Sequence, residues 1–389
     1  MIKKVDTVVE VFDTVNLQNN IMAATVFRAE CIIFLYESRQ EDSMEGVCAF
    51  LQAKRPQMRI DKVLVSAKDA REIVRNTLQA LKSDSKEVLV EFNGGNPIIA
   101  NYARTCCREL KFPCIALDAL SGEIVNIEHA EGLEGVFLLP ELTFSDILLL
   151  QGRTYNRNMH MLAEERYHDR ILTMSEYVFS HPADFKFFYD FVHHKSDGEL
   201  SEPGLTIILK KSREISERLV RIFKLFVNQG FIKDLVIEMQ QIRFTCVAPF
   251  VKEMLAVKGS WLEMYVYIHA KRSGLFSEVY QSVMIGWDLQ KRPQFNVENE
   301  IDVVLMKQGI PIFISCKLTN PKPDALNEIF ALASSFGGYG AVPALATSSD
   351  VRNRNRTLYN RAEEMGVTLL DASVLNKEGL MKFFEKISK

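Results

Sequence analysis

Over the first 150 residues, apolar β-branched runs alternate with amphipathic stretches. VDTVVEVF, ECIIFLYES, MRIDKVLVS, KEVLVEFN, FPCIALDA and GVFLLP read as strands. Each is a short Val-, Ile-, Leu- or Phe-rich run bounded by polar or turn residues, as buried sheet positions require. Between them, residues 17–27, 44–53, 69–81 and 98–110 space their apolar side chains for helices. A strand–helix–strand alternation predicts a parallel sheet covered by helices, which binds ligands in the crevice beyond the carboxyl ends of its strands.

The pattern changes near residue 151. Histidines 160, 168, 181, 193 and 194 fall in the next hundred residues, together with the aromatic run PADFKFFYDFVHH. His193 and His194, beside a Lys-Ser-Asp-Gly turn, are expected to be solvated. An amphipathic helix over 213–228 is followed by IKDLVIEMQQIRFTCV, which reads as a hairpin. Helix then hairpin suggests a winged-helix-like connector that either packs the flanking domains together or touches nucleic acid. Beyond residue 250 come one apolar helix over PFVKEMLAVKGSWLEMYVYIHAKRSG, further strands, a helix over 324–335, the strand VPALATS, a helix over 352–365 and the strand VTLLDA. The chain thus divides into an α/β domain (1–150), a connector (151–250) and a second α/β domain (251–389).

Composition narrows the function classes without choosing one. With 389 residues, 47% hydrophobic and 25% charged, the chain can support two or three cores. No apolar run is long enough to span a bilayer, and MIKKVDTVVEVFD lacks a secretory pattern, so no membrane association and a cytoplasmic location are expected. A net charge of −3 does not announce a polyanion binder, although a basic groove is compatible with it. The seven scattered cysteines, without a C-x-x-C pair, argue against a disulfide scaffold or structural zinc.

The most informative stretch is NEIDVVLMKQGIPIFISCKLTN. If Gln308 and Gly309 form a two-residue hairpin loop, Asp302 lies opposite Ser315 and Glu300 opposite Lys317. Period-two alternation then places all four on one face. Carboxylates and an amine on an apolar sheet need each other, or a metal, to offset desolvation. One reading is a structural ion pair. The other is a phosphodiester-hydrolysing site in which hard oxygen ligands hold Mg²⁺ or Mn²⁺ and the lysine positions the nucleophile or offsets developing charge.

An acidic residue, a hairpin and a spaced lysine resemble the PD-(D/E)XK restriction-endonuclease-like pattern. With GSWLEMYVY before it and FGGYGAVPALATS and RAEEMGVTLLDA after it, the stretch resembles the nuclease half of CARF-domain CRISPR ancillary nucleases of type III systems. The resemblance implies that Asp302 binds metal, that Lys317 is catalytic and that Glu263, in a helix entered through Gly259 and Trp261, helps build the metal site. It also implies a ligand role for the Cys316 carbonyl, the thiol being a buried apolar group. Ser315 departs from the pattern, since the family carries an acid there. Glu328, one helix later, or Glu300, on the same strand face, is expected to compensate, with Glu328 favoured.

At the other end, KEVLVEFNGGNPIIANYAR reads as strand, glycine turn and helix start, with Asn96 as N-cap and Pro97 at the first helical position. Gly94 and Gly95 let backbone approach a ligand, and a helix start favours phosphate. The glycine pair resembles the second ligand-binding motif of CARF domains. The first motif would then fall at Asn16 to Asn20, with Gln18 and Asn19 as contacts, and Ser38 and Arg39 nearby. Asn93 stands where close relatives carry Thr, and Asn96-Pro97 where they carry Thr-Lys.

The resemblance implies an α/β chain with a Rossmann-like CARF domain, a winged-helix-like connector and a restriction-endonuclease-like domain. It further implies a homodimer that binds cyclic oligoadenylate, with cyclic tetra-adenylate favoured, and hydrolyses DNA or RNA in CRISPR-linked antiviral defence. The alternatives are an unregulated repair or restriction-type nuclease, and an inactive ligand-controlled nucleic-acid-binding regulator.

Overall fold

The structure, a computed structural model, describes residues 4–83, 87–118, 121–138, 140–157, 161–193, 204–210, 215–239, 241–286, 298–318, 320–338 and 340–388. His160 and His194 lie outside the described residues. The amino-terminal unit runs β1 (Thr7–Val11), α1 (Asn19–Val26), β2 (Cys31–Tyr36), α2 (Glu41–Lys54), β3 (Arg59–Leu64), α3 (Ala70–Ser83), β4 (Val88–Glu91), α4 (Pro97–Leu110), β5 (Cys114–Asp118), β6 (Glu123–Glu128) and β7 (Gly135–Val136). Its sheet has the order β3-β2-β1-β4-β5-β6-β7. The first five of these strands are parallel, and β6 and β7 continue antiparallel. All five residues of β1 are buried, because helices cover both faces of a parallel sheet. The strand expected over GVFLLP shrinks to Gly135–Val136, both exposed. Strand β6 was not foreseen, its EIVNIE sequence being polar on one face.

Helix α5 (Phe144–Leu150) follows, started by a Thr143–Asp146 capping box and packed on α2. Strand β8 (Tyr155–Arg157) then pairs with the C-terminal sheet, although it lies within the segment read as connector. The connector itself contains α6 (His168–Ser180), α7 (Pro182–His193), β9 (Thr206–Lys210), α8 (Glu217–Asn228), β10 (Ile232–Glu238) and β11 (Gln241–Cys246). The three strands form an antiparallel sheet with the order β10-β11-β9 that packs on α8 in a winged-helix-like arrangement. The aromatic run is helix α7. Its Phe185, Phe188, Tyr189 and Val192 recur at helical spacing and are buried.

The C-terminal unit comprises α9 (Pro249–Ala256), α10 (Ser260–Ser273), β12 (Glu278–Gly286), β13 (Glu298–Lys307), β14 (Ile310–Lys317), α11 (Pro323–Phe336), β15 (Val342–Thr347), α12 (Val351–Arg354), α13 (Arg356–Glu364), β16 (Thr368–Leu370) and α14 (Lys377–Ile387). The sheet order is β16-β15-β14-β13-β12-β8. Two expected helices are each broken once. Val257 is extended, at φ −105° and ψ 120°, and separates α9 from α10. Asn355 separates α12 from α13 and caps the latter through its side chain. No helix among the described residues is long and apolar enough to cross a membrane.

Helix α10 is the centre of the molecule, since every residue from Ser260 to Ala270 is buried. Trp261 stacks on Phe226 at 6.1 Å and meets Phe231 edge-on at 5.6 Å, joining α10 to the connector. The same apolar cluster includes Ile314 and Cys316 of β14. Truncating the indole would therefore open a cavity between two units. Trp261→Ala is expected to cost about 3–5 kcal/mol, with Trp261→Phe intermediate, checked by thermal and urea unfolding.

Candidate functional site

The hairpin β13–β14 pairs Val303 with Ile314 through Lys307 with Ile310. Its turn residues Gln308 and Gly309 have φ of 50° and 77°, both left-handed, as a type I′ loop demands. Continuing this register sets Asp302 opposite Ser315 and Glu300 opposite Lys317. The ladder ends at Val303 and Ile314 because a side chain takes over. Asp302 Oδ2 accepts the Cys316 N–H at 2.6 Å and the Ser315 hydroxyl at 3.3 Å. On its other side β14 pairs with β15 as far as Lys317 and Thr347.

Helix α10 brings Glu263, only 7% exposed, into the same space. A Cβ placed on Gly259 would lie 2.7 Å from Glu263 Oε1 and 3.7 Å from the Cys316 carbonyl oxygen. Gly259 therefore keeps open a gap that a carboxylate and a peptide carbonyl share. Burial raises the Glu263 pKa well above the usual carboxylate range; Asp302 and Glu300 add to this and Lys317 opposes it. Asp302 is also raised by burial, against the pull of Lys317 and its two hydrogen bonds, with Glu328 adding repulsion. Glu300 is raised by burial and Asp302, again opposed by Lys317. The Cys316 thiol is pushed up by burial, so it stays neutral and only its backbone faces the gap.

The structure thus brings Glu263, Asp302, Glu300 and Lys317 into mutual electrostatic reach. Glu328 stands on the exposed side of α11 and acts on Asp302 from the edge. Lys317 is half-buried and makes no ion pair within 4 Å among the described residues. That geometry does not match a closed structural ion pair. Among the described residues, no three His, Cys, Asp or Glu side chains are close enough to hold a metal by themselves.

In the amino-terminal unit, the loops after β1, β2 and β4 gather at the carboxyl ends of adjacent strands, where the strand order reverses between β1 and β4. Several side chains expected to contact a ligand also hold these loops together. Asn19 donates to Asp13 at 2.8 Å and to the Asn93 carbonyl at 3.3 Å, and Asn16 donates to Asn19 at 3.2 Å. Asn93 bridges to the backbone of Leu117 with both ends of its amide. Asn96 caps α4 through Ile98 N and also donates to Glu37, lowering that carboxyl's pKa. Gly95 sits at φ 84°, and a Cβ at Gly94 would collide with the Asp13 carboxylate. Ser38 and Arg39 are exposed, with Arg39 pairing with Glu37 at 2.9 Å. The Gln18 amide lies against Gly338 of the C-terminal unit.

Sequence reading missed Asp13, which organises the first loop, and the pair Glu10 and Glu91 beneath it. The latter are register partners on β1 and β4, 1% and 3% exposed. Both oxygens of Glu10 and one of Glu91 have no hydrogen-bond partner among the described residues. The available signal was one glutamate inside each of two otherwise apolar strands, VVEVF and VLVEF.

No protein-family model matches the sequence, and no curated protein matches it. Solved structures do. Protein VC1899 from Vibrio cholerae superposes with a TM-score of 0.74 at 17% identity, covering 98% of each chain. Can2 from Sulfobacillus thermosulfidooxidans, solved in complex with cyclic tetra-adenylate, gives a TM-score of 0.71 at 15% identity over 97% of this chain and 99% of that one. A type III CRISPR defence DNA nuclease activated by cyclic oligoadenylate gives 0.51 at 14% identity, over 89% of this chain and 45% of that one. The likeness establishes the fold along nearly the whole chain, in which a mostly parallel α/β unit is followed by a connector and a second mixed α/β unit.

The Glu10–Glu91 pair generates a pH prediction. Burial raises Glu10 to about 8 and, with repulsion from Glu10, raises Glu91 well above the usual carboxylate value. Between the ordinary carboxylate range and about 8, the folded chain holds protons that the unfolded chain has released. The pair's contribution to stability is complete below that window and is lost as pH rises through it. Urea midpoints should fall from pH 5 to pH 8, and Glu10→Gln with Glu91→Gln should remove most of that decline.

Proposed function

We propose that the chain is a metal-dependent nuclease that hydrolyses phosphodiester bonds of DNA or RNA, switched by cyclic oligoadenylate bound to a homodimer of the amino-terminal unit. The observation that carries this reading is the gap at Gly259 bordered by Glu263 and the Cys316 carbonyl, with Asp302 on the Cys316 N–H and the Lys317 amine, which has no ion pair among the described residues, in electrostatic reach. The donor set is oxygen-only and anionic, which suits Mg²⁺ or Mn²⁺. Asp302, Glu263 and the Cys316 carbonyl would hold the ion. The remaining acid would be Glu300, which reaches Glu263, Asp302 and Lys317, or Glu328, which reaches Asp302.

When bound, such an ion supplies Lewis acidity at a phosphoryl oxygen and a more acidic water. The rest falls to the protein. Ser315 and the Cys316 N–H both fix Asp302 through Oδ2, leaving Oδ1 for a cation. Lys317, free of a carboxylate partner, offsets charge on a scissile phosphate or orients the attacking water. The fold likeness to a structure holding cyclic tetra-adenylate supports that ligand for the crevice over β1, β2 and β4.

Purified protein with Mn²⁺ or Mg²⁺ should cleave labelled DNA or RNA only when cyclic tetra-adenylate is added, and should run as a dimer in light scattering. Lys317→Ala and Asp302→Ala should each lower turnover by about 100-fold or more while cyclic tetra-adenylate binding by calorimetry is unchanged. Cleavage that ignores the cyclic nucleotide would favour the repair-type reading, and binding without cleavage the regulator. Glu300→Gln and Glu328→Gln, compared separately, assign the compensating acid: its loss should raise the metal concentration needed for half-maximal activity.

A further inference from the structure

A cavity of about 530 Å³ lies between connector helix α7 and the carboxyl ends of β14 and β15. That volume is in the range of sites that enclose a small organic group, roughly 300–1,000 Å³. It begins next to the candidate active site at three points. Its wall residue Lys258 adjoins Gly259, against which Glu263 and the Cys316 carbonyl lie; Leu318 follows Lys317; and Ser348 follows Thr347, the strand partner of Lys317.

The lining has two chemistries. Phe185, Leu318 and Ala372 supply apolar wall, whereas Lys186, Lys258 and Arg354 supply cations. Asp350, the single acid among the described lining residues, is committed to the Asn353 backbone and side-chain amides at the start of α12. Lys258 is shared with Asp190 at 3.3 Å, outside the lining. Apolar wall rimmed by cations suits a planar ring carried on a phosphodiester backbone. A base paired inside a duplex is not free to enter such a space, whereas an unpaired one is.

We propose that this cavity is a nucleotide subsite that takes one unpaired base of single-stranded nucleic acid, with Lys186, Lys258 and Arg354 on the neighbouring phosphates. The proposal rests on the phosphodiesterase reading, since it supplies the substrate strand to the same gap. Both DNA and RNA strands offer the chemistry recognised, and the test separates them.

Anisotropy of labelled single-stranded DNA, single-stranded RNA and a blunt duplex of equal length, measured in EDTA, reads the subsite without hydrolysis. The wild type should bind a single strand at least tenfold more tightly than the duplex. Ala372→Trp, which fills the cavity from an exposed position, should weaken single-strand binding about tenfold and leave duplex binding unchanged. Ala183→Trp, on another exposed part of the lining, should repeat the effect should the first variant fold poorly. Lys186→Ala and Arg354→Ala should each reduce the slope of log K against log salt by about 0.7. Equal affinity for single strand and duplex, or tryptophan variants that bind as the wild type does, would overturn the subsite. If the binding pattern holds but no substrate is cleaved under any metal, the hydrolytic reading fails and the subsite stands. If cleavage occurs without the binding pattern, the subsite alone fails.

Discussion

A carboxylate removed from water must acquire a cation, hydrogen-bond donors or a proton, and two of this chain's carboxylate clusters meet that demand in opposite ways. At Glu263 and Asp302 the surrounding elements supply an amine, a backbone N–H, a hydroxyl and an unfilled space bordered by a carbonyl. At Glu10 and Glu91, burial acts with no opposing base, and three of the four oxygens lack partners among the described residues. The first arrangement is suited to a divalent cation, the second to shared protons. The same desolvation therefore produces a candidate reaction centre in the C-terminal unit and a pH-sensitive foundation under the loops after β1 and β4 in the amino-terminal one.

The placement of Glu263 follows from the helix that carries it. Because α10 is buried on all sides, its one acidic side chain is almost enclosed and lies at the gap left by Gly259. Connector packing at Trp261 sits two residues from Glu263, so the orientation of the carboxylate and the seating of the connector are set together. The amino-terminal unit meets this assembly at a different point. Gln18 touches Gly338 just past α11, Gln151 donates to the Phe336 carbonyl, and the Arg153 guanidinium covers the Phe336 ring. Under the proposed regulation, the loop after β1 and the end of helix α11 are where the two units touch and where coupling would pass. Phe144 extends the junction by packing on Tyr155, Tyr280 and Phe313 of the C-terminal sheet.

How much of this the sequence reveals depends on how local the determining interaction is. The β13–β14 register is legible because Gln308 and Gly309 specify the loop and period two does the rest. The β1 to β5 strands are legible because burial on both faces leaves unbroken apolar runs. The break at Val257 is hidden, since nothing in an apolar stretch shows that the chain must turn to seat α10. Strand β8 is hidden because its pairing with β12 is decided by a distant partner, and β6 because its EIVNIE sequence is polar on one face. In the loops after β1 and β4 the sequence shows that Asn16, Asn19 and Asn93 carry donors and acceptors, but not that Asn16 donates to Asn19, Asn19 to Asp13, and that Asn93 pairs with Leu117. Asp13 is visible only as a polar residue after a strand, and its role appears once Gly94 is seen to lie against its carboxylate.

Ser315 ties these threads together. An acid there would place another buried negative charge beside Asp302, whose own pKa is already raised. The serine removes that repulsion and contributes a hydrogen bond that orients Asp302. Glu300, three residues nearer the start of β13 than the last paired position, brings a carboxylate to the same cluster from a place with access to solvent. Ionised Glu263, Asp302 and Glu300 around one lysine would leave two uncompensated negative charges, the amount that a single divalent cation offsets. With Glu300 as the compensating acid of the proposed site, the serine at 315 would leave the charge of the centre unchanged and set one carboxylate at a wetter strand position, where ionisation is less costly.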